Sequence, residues 1–302
     1  MKIAERRRVH VLLMVSLALG AHLGLSLKAS AASSQPGGLL ALRSGEVVVL
    51  DWERGLLRLL PKTGVTGAWA DFPIPGAAAL SLKSSGGEEV YLTQLRVWAS
   101  EESTYLLRLD NRGGIRTEWH MPHSLGLLAG MAVAPGGGVA YLASPRRTEI
   151  YRLQLDTKRT SPNNIALNPI ATIPRATTLG AIVVDAKRDR ILAADPIDGV
   201  VYYLPSAGGA AVKLVGGLGE PGSLAIDALT DRLFVSDRSG GKLWVLPLDK
   251  EPVATVFSGP GDLRDPVGVT IGVGGVVWVL DKKSRKVFLY SKDGKLVHTY
   301  VL

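Results

Sequence analysis

The chain has 302 residues, 46% hydrophobic and 21% charged, with 35 Gly, 17 Pro, no Cys and a formal net charge of +8. That composition excludes disorder, collagen, coiled coil and a disulfide-stapled mini-protein, and it leaves room for a single all-β domain. Without cysteine, the fold must rest on a large core of its own.

Lys2, Arg6, Arg7 and Arg8 head an apolar run from Val9 to Leu27, and Ala29, Ser30 and Ala31 then place small residues where a signal peptidase reads them. Basic, then apolar, then small is the order of a secretory leader, so residues 1–31 are expected to form a signal helix removed on export. The expected location is periplasmic or extracellular. An uncleaved anchor is the alternative, since the run is close to the shortest that spans a bilayer, and it is the one route by which the chain would meet a membrane. No Cys follows the leader, which excludes a lipoprotein. Residues 1–31 hold five of the basic residues and one acid, so the remainder carries a net charge of about +4. A charge that small gives no reason to expect nucleic acid as a partner.

From residue 32 to 302 the sequence repeats. The stretch from Asp185 to Asp195 matches that from Asp227 to Asp237 without a gap, with Asp, Ala, Asp, Arg and Asp coinciding at a displacement of 42. Further copies end at Asp51 and Asp281, and weaker ones at Gln94 and Ser144. The six end points are spaced by 43, 50, 51, 42 and 44 residues. Around each lie four short runs of β-branched and apolar residues punctuated by Gly, Asp and Ser, which predict strands joined by tight turns. In the last unit the predicted strands are 267–271, 276–280, 287–290 and 296–301.

Four strands per unit and a period in the forties describe a propeller blade, and a blade cannot hide both of its apolar faces without neighbours. The expected fold is therefore an all-β, six-bladed β-propeller of four-stranded antiparallel blades over residues 32–302, preceded by the signal helix. The first and last blades each have four strands of their own, so the ring is expected to close by packing of faces.

The stretch Pro266, Gly268, Asp281, Arg285 and Gly294, with apolar strands between, resembles an NHL repeat, and Pro221, Gly222, Asp237 and Lys242 follow the same order more loosely. The resemblance implies the NHL-repeat and gluconolactonase-like six-bladed propellers of the TolB-like superfamily, which range from binding platforms to metal-dependent hydrolases. Gluconolactonase-like members bind a divalent cation through carboxylates and Asn at the starts of inner strands. Members with amidating-lyase activity place several His in the channel.

The repeated Asp51, Asp195, Asp237 and Asp281 close a strand just before a turn, where a carboxylate accepts backbone N–H groups, and they read as structural. Four residues on stand Gly55, Gly199, Gly241 and Arg285, at the positive-φ position of a hairpin turn. The Pro-Gly pairs at residues 36, 75 and 221, and Pro266 with Gly268, predict a kinked start that lets inner strands crowd the axis. Turns after the second strands are basic, with Arg54, Arg96, Arg146, Arg147, Arg238, Lys282, Lys283 and Arg285, although Glu53, Glu101, Glu102, Glu149 and Asp198 accompany them. Solvated turn charges are the plainer reading and a positive rim the sharper one.

His120 and His123 read as an exposed loop pair, too few for a catalytic zinc. Glu220, and more loosely Asp265, stand where the resemblance would place ligands for calcium or another divalent cation, but two acids are few for a hard ion. The candidate residues of the loop-bearing face are His123, Arg147, Glu220, Arg238 and Asp265. The expected function is a non-catalytic, exported binding or scaffolding protein that needs no cofactor. Its expected ligand is a protein, a peptide or an anionic polysaccharide. The alternative is a divalent-metal-dependent hydrolase of the lactonase type, using Glu220 and Asp265.

Overall fold

The computed structural model describes residues 38–51, 56–60, 70–73, 78–83, 90–98, 101–109, 115–122, 128, 130–135, 137–155, 165, 167–258, 261 and 263–302. The expected signal helix lies outside the described residues. Among the described residues, 24 strands form six four-stranded antiparallel sheets, each made of four consecutive strands. The first holds Leu39–Ala41 (β1), Val47–Asp51 (β2), Leu56–Leu60 (β3) and Ala70–Pro73 (β4). The second holds Ala78–Lys83 (β5), Val90–Trp98 (β6), Glu101–Leu109 (β7) and Ile115–His120 (β8). Gly130–Val133 (β9), Val139–Ser144 (β10), Glu149–Gln154 (β11) and Pro169–Thr172 (β12) form the third. Ile182–Asp185 (β13), Arg190–Asp195 (β14), Val200–Pro205 (β15) and Val212–Val215 (β16) form the fourth. Pro221–Asp227 (β17), Arg232–Asp237 (β18), Lys242–Pro247 (β19) and Thr255–Val256 (β20) make the fifth. Pro266–Ile271 (β21), Val277–Asp281 (β22), Lys286–Tyr290 (β23) and Leu296–Val301 (β24) make the last.

The first strands of the sheets touch in a circuit, β1 to β5, β9, β13, β17, β21 and back to β1. Each hydrophobic cluster draws its side chains from two adjacent sheets. Val201 and Leu192, for example, pack with Leu224, Leu233 and Val235. The protein is an all-β propeller with four-stranded antiparallel blades. The second strands show why the pattern was readable: Val47, Val48, Val49 and Leu50 are all buried, because both faces of a blade are covered. A strand hidden on both sides is a continuous apolar run, not an alternating one. The outermost strand β24 alternates only weakly and leaves Leu296, Val297 and Val301 exposed.

Among the described residues, the seam between the first and last sheets uses no shared strand. Leu39, Val47, Val49 and Leu60 pack against Val267, Trp278, Leu280 and Val287, and the Ala41 N–H donates to Thr270 Oγ1 at 3.2 Å. At the axis the backbones crowd as expected: a Cβ on Gly130 would fall 2.0 Å from the Gly180 carbonyl oxygen. The register slips between Pro221 and Ser223, and again between Pro266 and Gly268, so these two proline starts are bulges that turn the chain into its inner strand, while the pairs at 36 and 75 lie outside the described residues.

Candidate functional site

Antiparallel connectivity puts two segments of each blade at one end, the lead-in to the inner strand and the turn between the second and third strands. The repeated aspartates tie these two together. Asp195 accepts the N–H groups of Ile197 and Asp198 in its turn (2.9 and 3.1 Å) and of Thr177 in the lead-in (2.6 Å). Asp237 accepts from Gly240 N–H (2.8 Å) and Glu220 N–H (3.1 Å), and Asp281 from Ser284, Arg264 and Asp265 N–H (2.8, 2.6 and 2.8 Å). All three carboxylates are buried. The turns bear out the positive-φ expectation at Gly199 (64°), Gly241 (58°) and Arg285 (55°), while Gly55 and the side chain of Asp51 lie outside the described residues.

The same clamp positions three of the candidate residues. Glu220 ends the lead-in to β17, Asp265 ends the lead-in to β21, and Arg238 opens the turn after β18. Arg238 Nη1 donates to Glu220 Oε1 at 2.8 Å, and Arg238 Nε donates to Asp265 Oδ1 at 2.9 Å. The guanidinium is 17% exposed and the carboxylates are 31% and 22% exposed, so this is a half-buried ion triad joining two adjacent blades. Its path is cut by a glycine: a Cβ on Gly222 would lie 2.7 Å from both Cγ and Cδ of Arg238. Beside it, 3.3 Å from that Cβ position, lies the hydroxyl of Ser236, buried and without a hydrogen-bond partner.

Arg147 is not part of this group. It lies in the turn after β10, 49% exposed and 4.0 Å from Glu149. Glu149 also accepts from the Tyr151 hydroxyl; burial first, and then the Glu149 carboxylate, push that phenol up to about 12. His123 lies outside the described residues.

Residues 94–302 match the model of the SMP-30/Gluconolactonase/LRE-like region family. The chain belongs to that family. No curated protein matches it. Among solved structures it resembles the nidogen/laminin complex, with a TM-score of 0.66 and 19% identity over 82% of this chain and 91% of that one. It also resembles virginiamycin B lyase from Staphylococcus aureus, with a TM-score of 0.61 and 16% identity over 89% and 85% of the two chains. A streptogramin B lyase gives a TM-score of 0.61 and 15% identity over 90% and 85%. These likenesses speak for the fold.

In this SMP-30/gluconolactonase-type chain the donor set does not fit the divalent cation that the family implies at Glu220 and Asp265, because a guanidinium hydrogen-bonds to both carboxylates from between them. Among the described residues, no three His, Cys, Asp or Glu converge as a metal cluster. His120 departs from the loop reading: it is the last residue of β8, stacked on Tyr105 with ring centroids 4.6 Å apart. An outermost strand, not a loop, fixes it.

Sequence reasoning missed a second inter-blade contact at the other end of the blades. Arg188 donates through Nη1 and Nη2 to Asp231 (2.8 and 2.7 Å), which also accepts from Lys187 Nζ at 2.5 Å. Hydrogen bonds from Arg188 and then Lys187 hold the Asp231 carboxyl far below the usual carboxylate range. The available signal was the repeated Asp-Ala-x-x-Asp-Arg motif itself. Its first Asp and its Arg pair within each blade, as Asp185 with Arg190 at 2.8 Å and Asp227 with Arg232 at 3.4 Å.

Proposed function

We propose that the protein is an exported, six-bladed propeller that works as a non-catalytic binding platform for an anionic polysaccharide. The ligand face is the end bearing the clamped turns. One observation carries the reading: five acids of that face are engaged inside the structure and six of its bases are exposed, against one exposed acid, Asp198, and a half-buried Glu149. Asp195, Asp237 and Asp281 cap backbone N–H groups, and Glu220 and Asp265 pair with Arg238. Arg146, Arg147, Arg175, Arg264, Lys283 and Arg285 are exposed at the same end. Such an array raises the local concentration of a polyanion and is screened by salt. The six-bladed count is supported by the six sheets and by the circuit of inner-strand contacts. Export rests on the leader pattern of residues 1–31.

The test is binding of polygalacturonate and dextran sulfate by calorimetry at several salt concentrations. Arg264→Glu/Lys283→Glu is expected to weaken binding by about tenfold, and Lys292→Glu/Lys295→Glu, at the opposite end, by less than about twofold. Equal effects, or no binding by the wild type at low salt, would overturn the reading. Family membership favours a second reading, a divalent-metal-dependent lactonase, which predicts lactone hydrolysis that calcium or zinc stimulates.

A further inference from the structure

We propose that Arg238 is a built-in cation: its guanidinium stands where a divalent ion would be needed to hold Glu220 and Asp265 together, so this pair works without metal. Two carboxylates carried on different blades repel one another and need a positive charge between them. Here that charge is covalently attached. Arg238 reaches one acid through Nη1 at 2.8 Å and the other through Nε at 2.9 Å, using two edges of one planar group. Unlike a bound ion, the guanidinium cannot dissociate, because it is part of the chain, and its fork of donors serves two carboxylates at once.

The seat for this side chain is prepared in the backbone. Arg238 is anchored at its own N–H, which donates to the Glu220 carbonyl at 2.9 Å, and its aliphatic stem crosses the bare face of Gly222. Gly222 has no positive φ. Its missing side chain therefore serves close approach and not a turn, and alanine there is compatible with the strand. A methyl group at 222 would press on Cγ and Cδ of Arg238 and lift the guanidinium away, with all three charged residues still present. Gly222 and Arg238 thus form one device, a glycine floor and the cation laid across it. The inference concerns the pair of acids alone and is independent of the ligand that the face takes.

The experiment is thermal melting and calorimetric titration of the full chain with calcium, manganese and zinc chlorides, and with the chelator EDTA. The wild type is expected to melt within about 1 °C of its metal-free value under all conditions. Arg238→Ala is expected to melt lower, to recover on adding non-denaturing guanidinium, and to gain a divalent-dependent rise of about 5 °C near saturation. Gly222→Ala is the second variant, useful if Arg238→Ala fails to fold, and is expected to acquire the same divalent response. Adding Glu220→Gln to either variant should abolish that gain. Two outcomes overturn the proposal: a wild-type divalent shift that Glu220→Gln or Asp265→Asn removes, or Gly222→Ala and Arg238→Ala variants that both ignore every divalent ion and guanidinium.

Discussion

Truncating Asp281 to alanine removes a buried acceptor shared by three backbone N–H groups, those of Arg264 and Asp265 in the lead-in to β21 and that of Ser284 in the following turn. An orphaned buried donor costs about 1–3 kcal/mol. Arg264 is exposed and Asp265 and Ser284 are half-buried, so water can reach part of what is left and the low end applies to each. The sum is about 3–4 kcal/mol. Asparagine keeps one acceptor oxygen, which can serve either the turn or the lead-in, and turns an NH2 toward the other; it should cost about 2 kcal/mol. For a domain of this size 1 kcal/mol moves Tm by about 2–4 °C, which puts the alanine variant about 10 °C below wild type and the asparagine variant about 5 °C below. Circular dichroism melts, with urea unfolding to confirm an unchanged m value, measure both. Asp293→Ala, an exposed carboxylate on the turn before β24, is the control and should stay within about 0.5 kcal/mol of wild type. If Asp281→Ala melts within about 1 °C of wild type, or asparagine proves no milder than alanine, the clamp is not what holds the lead-in.

Two further outcomes follow from burial and charge. Trp278, 1% exposed between the first and last sheets, should cost about 3–5 kcal/mol on truncation to alanine, read by urea unfolding. Trp244 is half-buried and donates its indole N–H to the Leu218 carbonyl at 3.1 Å, so Trp244→Ala should cost about half as much by the same measurement. Asp231 has its folded-state pKa held below its unfolded value by Arg188 and Lys187, so its contribution is complete above the ordinary carboxylate range and is lost as pH falls toward the folded value. Asp231→Asn should therefore flatten the acid limb of a stability–pH profile between pH about 4 and 2, and an unchanged acid limb would contradict the contact.

Architecture was legible because a blade's requirements are local. The last unit shows how closely: strands predicted at 267–271, 276–280, 287–290 and 296–301 are found at Pro266–Ile271, Val277–Asp281, Lys286–Tyr290 and Leu296–Val301. The structural reading of the repeated aspartates was legible for the same reason, since the turn they cap lies two to four residues ahead. What lay beyond reach was their second partner, the lead-in segment about 16 to 18 residues upstream. Sequence order carries no mark of which segment will lie opposite once a sheet forms.

The pairing of charges was the least readable part, and Arg238 explains why. In its turn it looked like one more solvated base, because the acids that engage it lie 18 residues before and 27 residues after, on the lead-ins of two different blades. The same holds for Arg188 and Asp231, 43 residues apart, close to the repeat length. In a propeller a separation of about one repeat means contact across a blade interface, so a base in one unit should be compared with acids at equivalent ends of the next. That rule joins Arg188 to Asp231 but not Arg238 to Asp265, whose separation of 27 residues is that from a turn to the next blade's lead-in. Each interface is apolar through its depth, and at the interface of the fifth and sixth sheets Arg238 adds an ion contact at one end, whereas at that of the fourth and fifth Arg188 adds one at the other. Burial makes the blades stack, and at these two interfaces an ion contact adds a directional link at the blade end.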